Sequence, residues 1–66
     1  MPIYELGNRR PVISPEAFVH PDAVLIGDVH IDAGCMIAPG AVLRADIGTI
    51  RIGANTSIQD NVVMHA

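Results

Sequence analysis

Lysine and tryptophan are absent from this 66-residue chain, and tyrosine, phenylalanine and cysteine occur once each. Four arginines against seven acidic residues leave a net charge of -3, so the clustered cations that phosphate binding needs are missing and nucleic acid is excluded as a partner. Tyr4 and Phe18 alone make no base-stacking platform. Half the residues are apolar, yet no apolar run approaches the ~20 residues of a membrane span, so no membrane partner is expected. The opening Met-Pro-Ile-Tyr-Glu carries no basic stretch followed by a hydrophobic segment, so no secretory leader is expected. The lone Cys35 excludes an internal disulfide and reads as a small buried hydrophobe. A cytoplasmic location is the resulting expectation.

What the chain does have is a period of six. Ile13, Val19, Leu25, Ile31, Ile37 and Leu43 recur at that spacing, and after a three-residue slip so do Ile52, Ile58 and Met64. A second row, Ala17, Ala23, Val29, Cys35, Ala41, Ile47, Thr56 and Val62, is small or apolar and keeps the same phase. Neither the 3.6 of a helix nor the 2 of a strand gives this spacing. It predicts an all-β fold, a parallel β-helix of three short strands per turn, in which each repeat buries its apolar face only by stacking on its neighbours. About three coils fit in the chain.

Residues 1–12 lie outside the repeat. Pro2, Pro11 and the Gly7-Asn8 turn signal predict an N-terminal arm or strand that covers the first coil, followed by an incomplete hexapeptide-repeat β-helix over 13–66. Thr49, Ile50 and Arg51 interrupt the count and are expected to bulge at a corner, where solenoids place function. The chain stops at Ala66, early in a new hexad, with nothing to cap the last coil. The expectation is an N-terminal piece of a longer β-helix, or a chain that covers its open end with another chain.

Three hexads make one coil, so positions three hexads apart stack at the ~4.8 Å spacing of paired strands. One outward face then carries Val12, Ser14, His30, Asp32, Arg51 and Gly53 and reads as solvated. A second carries Phe18, His20, Met36, Ala38, Ser57 and Gln59. The third carries Val24 with Ile26, Val42 with Arg44, and Val63 with His65. A column of outward valines is an apolar stripe of the kind that marks an interface. The densest polar cluster, Arg44, Asp46, Gln59, Asp60 and His65, gathers at one corner beside it. An isolated Arg-x-Asp is ordinarily a surface ion pair, and His20 and His30 read as ordinary surface histidines.

Val-Leu-Arg-Ala-Asp (42–46) followed by Ser-Ile-Gln-Asp-Asn-Val-Val-Met-His (57–65) closely resembles the gamma-class carbonic anhydrases and their relatives in phenylacetate and carnitine metabolism. Val-His-Pro-Asp-Ala-Val-Leu-Ile-Gly-Asp-Val (19–29) and Ile-Ala-Pro-Gly-Ala-Val-Leu-Arg (37–44) extend the likeness to nearly the whole chain. The resemblance implies a left-handed parallel β-helix that forms a homotrimer, with Zn²⁺, or Fe²⁺ or Co²⁺, held between subunits on three histidines, hydrating CO₂ to bicarbonate with a hydroxide on the metal. It assigns His65 as a metal ligand and Gln59 as the residue that orients the bound water or bicarbonate. Arg44 and Asp60 match an interface ion pair, Asp46 matches a supporting acid, and Val24, Val42 and Val63 fall on the interface. The other two histidines would lie beyond Ala66. Ile47 stands where the best-known members carry a proton-shuttling acid, and their extended acidic loop is missing.

Two other readings share the scaffold. One is an acyl-CoA thioesterase or acyltransferase, with the acyl chain's carrier bound between subunits and a histidine as base. The other is an assembly module without catalysis, since one candidate ligand per chain is too few for a three-histidine site and tight zinc binding by the isolated chain is not expected. The open edges of the last strands predict that the isolated chain does not stay monomeric. Light scattering checks this, and a monodisperse monomer would count against the coil or its phase.

Overall fold

The computed structural model describes residues 3–66, so Pro2, expected to frame the arm, lies outside the described residues. Among the described residues eight strands succeed one another without a helix: β1 (Ile3–Tyr4), β2 (Val12–Ile13), β3 (Phe18–Val19), β4 (Val24–Ile31), β5 (Met36–Ile37), β6 (Val42–Ile52), β7 (Ser57–Ile58) and β8 (Val63–His65). All pairings between them are parallel, as a winding coil requires, because each strand meets the one below it after a full turn. One sheet runs β1-β4-β6-β8 with β2 also on β4, and the other runs β3-β5-β7. The fold is a left-handed parallel β-helix of about three turns.

The hexad period appears as inward columns. Leu25 pairs with Leu43 and Leu43 with Met64, Ile13 with Ile31 and Ile31 with Ile52, and Val19 with Ile37 and Ile37 with Ile58. Leu25, Ile37, Leu43 and Val29 are the largest fully buried side chains, each contributing about 1.5–3 kcal/mol by leaving water. The arm is built into this plan: Ile3 pairs with Leu25 and packs on the core, so β1 adds a rung below the first repeat. A two-residue turn at Gly7 and Asn8 joins it to the coil, closed by mutual backbone bonds between Leu6 and Arg9 of 2.8 and 2.9 Å.

Corners hold the strands at a constant angle. Gly40 and Asn61 stack at one of them with φ of 79° and 60°, in the left-handed region that glycine and asparagine tolerate best. A Cβ on Gly40 would collide with the Asn61 Oδ1. Gly27, at φ 81°, lies so close to the Ala45 carbonyl oxygen that a Cβ would strike it, and this lets β4 run through two sides of the coil as one strand.

Two expectations need correction. Pairing of β4 with β6 jumps from Gly27↔Ala45 to Val29↔Ile50, so Asp28 alone faces the four residues 46–49. The three extra residues bulge there and not at Thr49–Arg51. Ile50, 6% exposed, fills the inner row that the count gave to Ile47, and Ile47 stands 78% exposed. Both are isoleucines, and burial goes to the one whose alternation brings Arg51 beside His30 and Ile52 over Ile31. Ala38, expected on an outward face, is 3% exposed although it is not part of the core cluster. Its methyl is too short to clear the longer side chains of its outward row, His20 and Gln59.

The register predicts opposite costs for two like substitutions. Ile50→Ala is expected to lower stability by about 2–4 kcal/mol, and Ile47→Ala by less than about 0.5 kcal/mol. Denaturant midpoints check both, and equal losses would contradict this placement of the bulge.

Candidate functional site

The bulge creates the polar site. Arg44 leaves the outer face of β6 directly under His65 of β8, its register partner. Asp46 is the first residue of the bulge, where the chain leaves the ladder and its side chain is free to turn back over Arg44. Arg44 Nη1 donates to Asp46 Oδ2 at 2.7 Å, and His65 Nε2 lies 2.8 Å from Asp46 Oδ1. Because a carboxylate only accepts, the imidazole donates from Nε2 and a neutral ring keeps its lone pair on Nδ1. The backbone binds the same residues together: Ala66 N donates to Arg44 O at 3.0 Å, and Ile47 N to Ala66 O at 3.2 Å.

Asp46 is held below the ordinary carboxylate range, chiefly by the His65 hydrogen bond and further by Arg44, while partial desolvation acts the other way. With side-chain exposures of 47% for Arg44, 45% for His65 and 29% for Asp46, the cluster opens outward and would be covered only by another surface.

The remaining candidates sit apart from this trio. Gln59 Nε2 donates to Ser57 Oγ at 2.7 Å, one side of the coil away. Asp60 stands exposed in the Asp60-Asn61 turn, with no side-chain partner among the described residues, and Arg44 meets Asp46 instead within the chain. Val24, Val42 and Val63 form one column by register, half-buried at the first two and 71% exposed at Val63. Among the described residues no three of His, Cys, Asp and Glu come together in a way that could hold a metal ion.

Sequence reasoning missed a second carboxylate hub. Asp28, one coil below the bulge, accepts from Thr49 Oγ1 at 2.6 Å and from His30 Nε2 at 2.8 Å, with Arg9 Nη1 at 3.9 Å. Thr49 first, then His30, keep its carboxyl below the ordinary range. His30 is thus a half-buried, bonded residue and not a plain solvated one. Stacking could have found Asp28, which comes after Gly27 as Asp46 comes after Ala45. Nothing in the sequence marks Arg9, whose guanidinium also donates to Gly48 O at 2.8 Å and Ile47 O at 3.0 Å.

A parallel β-helix with a six-residue period and a charged bulge on one face defines the class: a hexapeptide-repeat protein. Residues 10–45 match the family described as bacterial transferase hexapeptide (six repeats), and the chain belongs to it. Within that class it is gamma-carbonic-anhydrase-like. It is 48% identical over 58 residues to "Gamma carbonic anhydrase 1, mitochondrial" of Arabidopsis thaliana, covering 88% of this chain and 21% of that protein. It is 49% identical over 65 residues to "Carnitine operon protein CaiE" of Escherichia coli (strain SMS-3-5 / SECEC), covering 98% of this chain and 33% of that protein. The CaiE of Salmonella newport (strain SL254) is 48% identical over the same length. The chain therefore spans a third or less of the length of these curated relatives.

A depressed carboxyl pKa stabilises the folded state above the unfolded carboxyl value, about 4, and that contribution is lost as pH falls through the folded value. His65→Ala removes the largest cause, so the Asp46 midpoint, tracked by carboxyl-carbon NMR, is expected to rise toward the ordinary range. An unmoved midpoint would mean that the His65–Asp46 bond is not made in solution.

Proposed function

We propose that the chain supplies part of a zinc-dependent, carbonic-anhydrase-like site formed between the subunits of a homotrimer. The observation that supports this most is the Asp46 carboxylate holding His65 by Nε2 at 2.8 Å while Arg44 holds the carboxylate at 2.7 Å. A histidine whose other ring nitrogen is fixed by a carboxylate is the usual form of a metal-ligating imidazole. His65 fits as one ligand through the nitrogen that Asp46 leaves free, and the remaining ligands come from outside the described residues. Zinc on three histidines with an open position brings the pKa of bound water to about 7, which suits CO₂ hydration.

The chain's own residues would do the rest. Asp46 fixes the tautomer and direction of His65, and Arg44 keeps Asp46 ionised and in place. Gln59, an uncharged amide, would orient water or bicarbonate once a neighbouring subunit brings its side of the coil to the site. The column Val24, Val42 and Val63 would be covered in that assembly, and Asp60 would find its cation across it. Composition is the ground for proposing a cytoplasmic chain: its one cysteine, buried and free, suits a reducing compartment.

A second reading, acyl-CoA hydrolysis or acyl transfer at the same place, draws on two observations. The matched family is described as a transferase, and Ile47 offers an exposed apolar side chain where rapid proton export would want an acid. Assays of CO₂ hydration and acyl-CoA hydrolysis on one preparation of the protein that carries this segment separate the two.

For the metal, His65→Ala is expected to abolish stoichiometric zinc, and Asp46→Asn to weaken zinc about 10- to 100-fold in chelator competition. Unchanged metal content in His65→Ala would overturn the assignment.

A further inference from the structure

The 46–49 bulge carries the site's carboxylate, yet no buried side chain of its own anchors it. Ile47 points into solvent, Gly48 has no side chain, and Thr49 is exposed. Its ladder is broken as well, since pairing with β4 stops at Ala45 and resumes at Ile50. What holds it comes largely from the far end of the chain. Arg9, 38 and 39 residues away in sequence, donates from two guanidinium nitrogens to the Ile47 and Gly48 carbonyls and faces Asp28 with the same group. Asp28 in turn receives the Thr49 hydroxyl and is steadied by His30. Arg9 is itself fixed by the turn to Leu6 and by the pairing of β1 with β4.

We propose that Arg9 is a positioning residue: through the bulge carbonyls and Asp28, the N-terminal arm sets the hydrogen bond between Asp46 and His65. The inference rests on the reading of these two residues as the working pair, but its readout needs no metal. A guanidinium suits the task because its planar fork satisfies two adjacent carbonyls and a carboxylate at once. Those carbonyls belong to the two residues directly after Asp46, so their position fixes the direction in which its side chain leaves the ladder. Without the fork they turn to water, Asp46 loses its set position, and the imidazole of His65 is released to exchange tautomers. The arm is thereby more than a cover for the first coil. It connects that end of the solenoid to the site through the two Arg9 hydrogen bonds, the backbone of the bulge and the bond between Asp46 and His65.

The test uses the 66-residue chain, with nitrogen NMR of the His65 ring and hydrogen exchange of the Ile47 amide. Arg9→Ala is expected to move the ring nitrogens from the Nε2-protonated pattern toward tautomer averaging. Two charge-assisted bonds are lost, so the Ile47 amide should exchange about tenfold faster or more. The amides of Ala38 and His20 on another side of the coil should keep their protection, showing that the fold is intact. Arg9→Lys should restore part of both signals, and Arg10→Ala, whose partner Glu5 lies in the arm at 3.2 Å, should change neither. Thr49→Val tests the same link from the Asp28 side and decides alone if Arg9→Ala does not fold. Unchanged His65 nitrogens and Ile47 exchange in a folded Arg9→Ala chain, or in Thr49→Val where that variant decides, would overturn the proposal. A moved His65 in a protein that binds no zinc would support the positioning link while the functional reading fails.

Discussion

Everything in this molecule depends on parallel rungs keeping one register, so that each inward aliphatic lands on another. A single coil has no interior. Its three short strands enclose a space the width of their own side chains, and water leaves that space only when a second coil closes it. The burial pattern reflects this. Leu25, Ile37 and Leu43, with a coil above and below, are fully buried, while Ile58 and Met64 on the last rung are only half so. The lower end is treated differently, because β1 lays Ile3 under Leu25. The energy is cooperative along the axis and weakest wherever a rung lacks a neighbour.

A strict repeat is chemically monotonous, since the same kind of side chain returns to the same place on every coil. The three extra residues between Ala45 and Ile50 break the monotony once, and the polar residues gather around that break. The ladder gives up its pairing with β4 over 46–49, and side chains bind the detour: Arg9 donates to two carbonyls, Thr49 to Asp28, and Arg44 and His65 to Asp46. Burial sets the length of the detour. The strand can rejoin only when an apolar residue falls on the inner row with the right parity, and Ile50 with Ile52 two positions on meets that condition.

The columns were legible because a period of six has one physical source, and the same ruler placed Arg44 under His65 and aligned Val24, Val42 and Val63. It failed where two residues of equal hydrophobicity competed. Counting six from Ala41 lands on Ile47 and gives no weight to Ile50 three residues on. The geometry chooses at once, because only pairing through Ile50 sets Arg51 beside His30 and Ile52 over Ile31. Ala38 shows a different limit: facing outward is a matter of backbone parity, but exposure also depends on the length of neighbouring side chains. Arg9 was beyond reach, since its hydrogen bonds reach residues 38 and 39 positions away from an arm that carries no repeat. The resemblance to gamma-class carbonic anhydrases supplied roles for Gln59 and Asp60 that one chain's geometry neither assembles nor needs.

The two aspartates show why acids and not amides stand at the break. Asp28 and Asp46 each receive a histidine Nε2 at 2.8 Å on one oxygen and face an arginine with the other, at 3.9 Å for Asp28 and 2.7 Å for Asp46. An asparagine could accept on one atom only: its NH₂ would confront a guanidinium that has nothing to accept with, or else force the imidazole into its other tautomer. The carboxylate takes both donors, and hydrogen bonds hold its pKa down at both places, Thr49 and then His30 at Asp28, His65 and then Arg44 at Asp46. The two hubs differ in what surrounds them. Asp28, as exposed as Asp46 at 29%, meets its donors on the arm, the bulge and β4, and its partners His30 and Arg9 are the more covered pair at 28% and 36%. Asp46 holds two residues that are each nearly half exposed, with the second nitrogen of His65 directed away from the carboxylate. The same chemistry has better covered partners at one coil and more exposed ones at the next, and the more exposed one lies beside the apolar column, where the proposed site is to be completed.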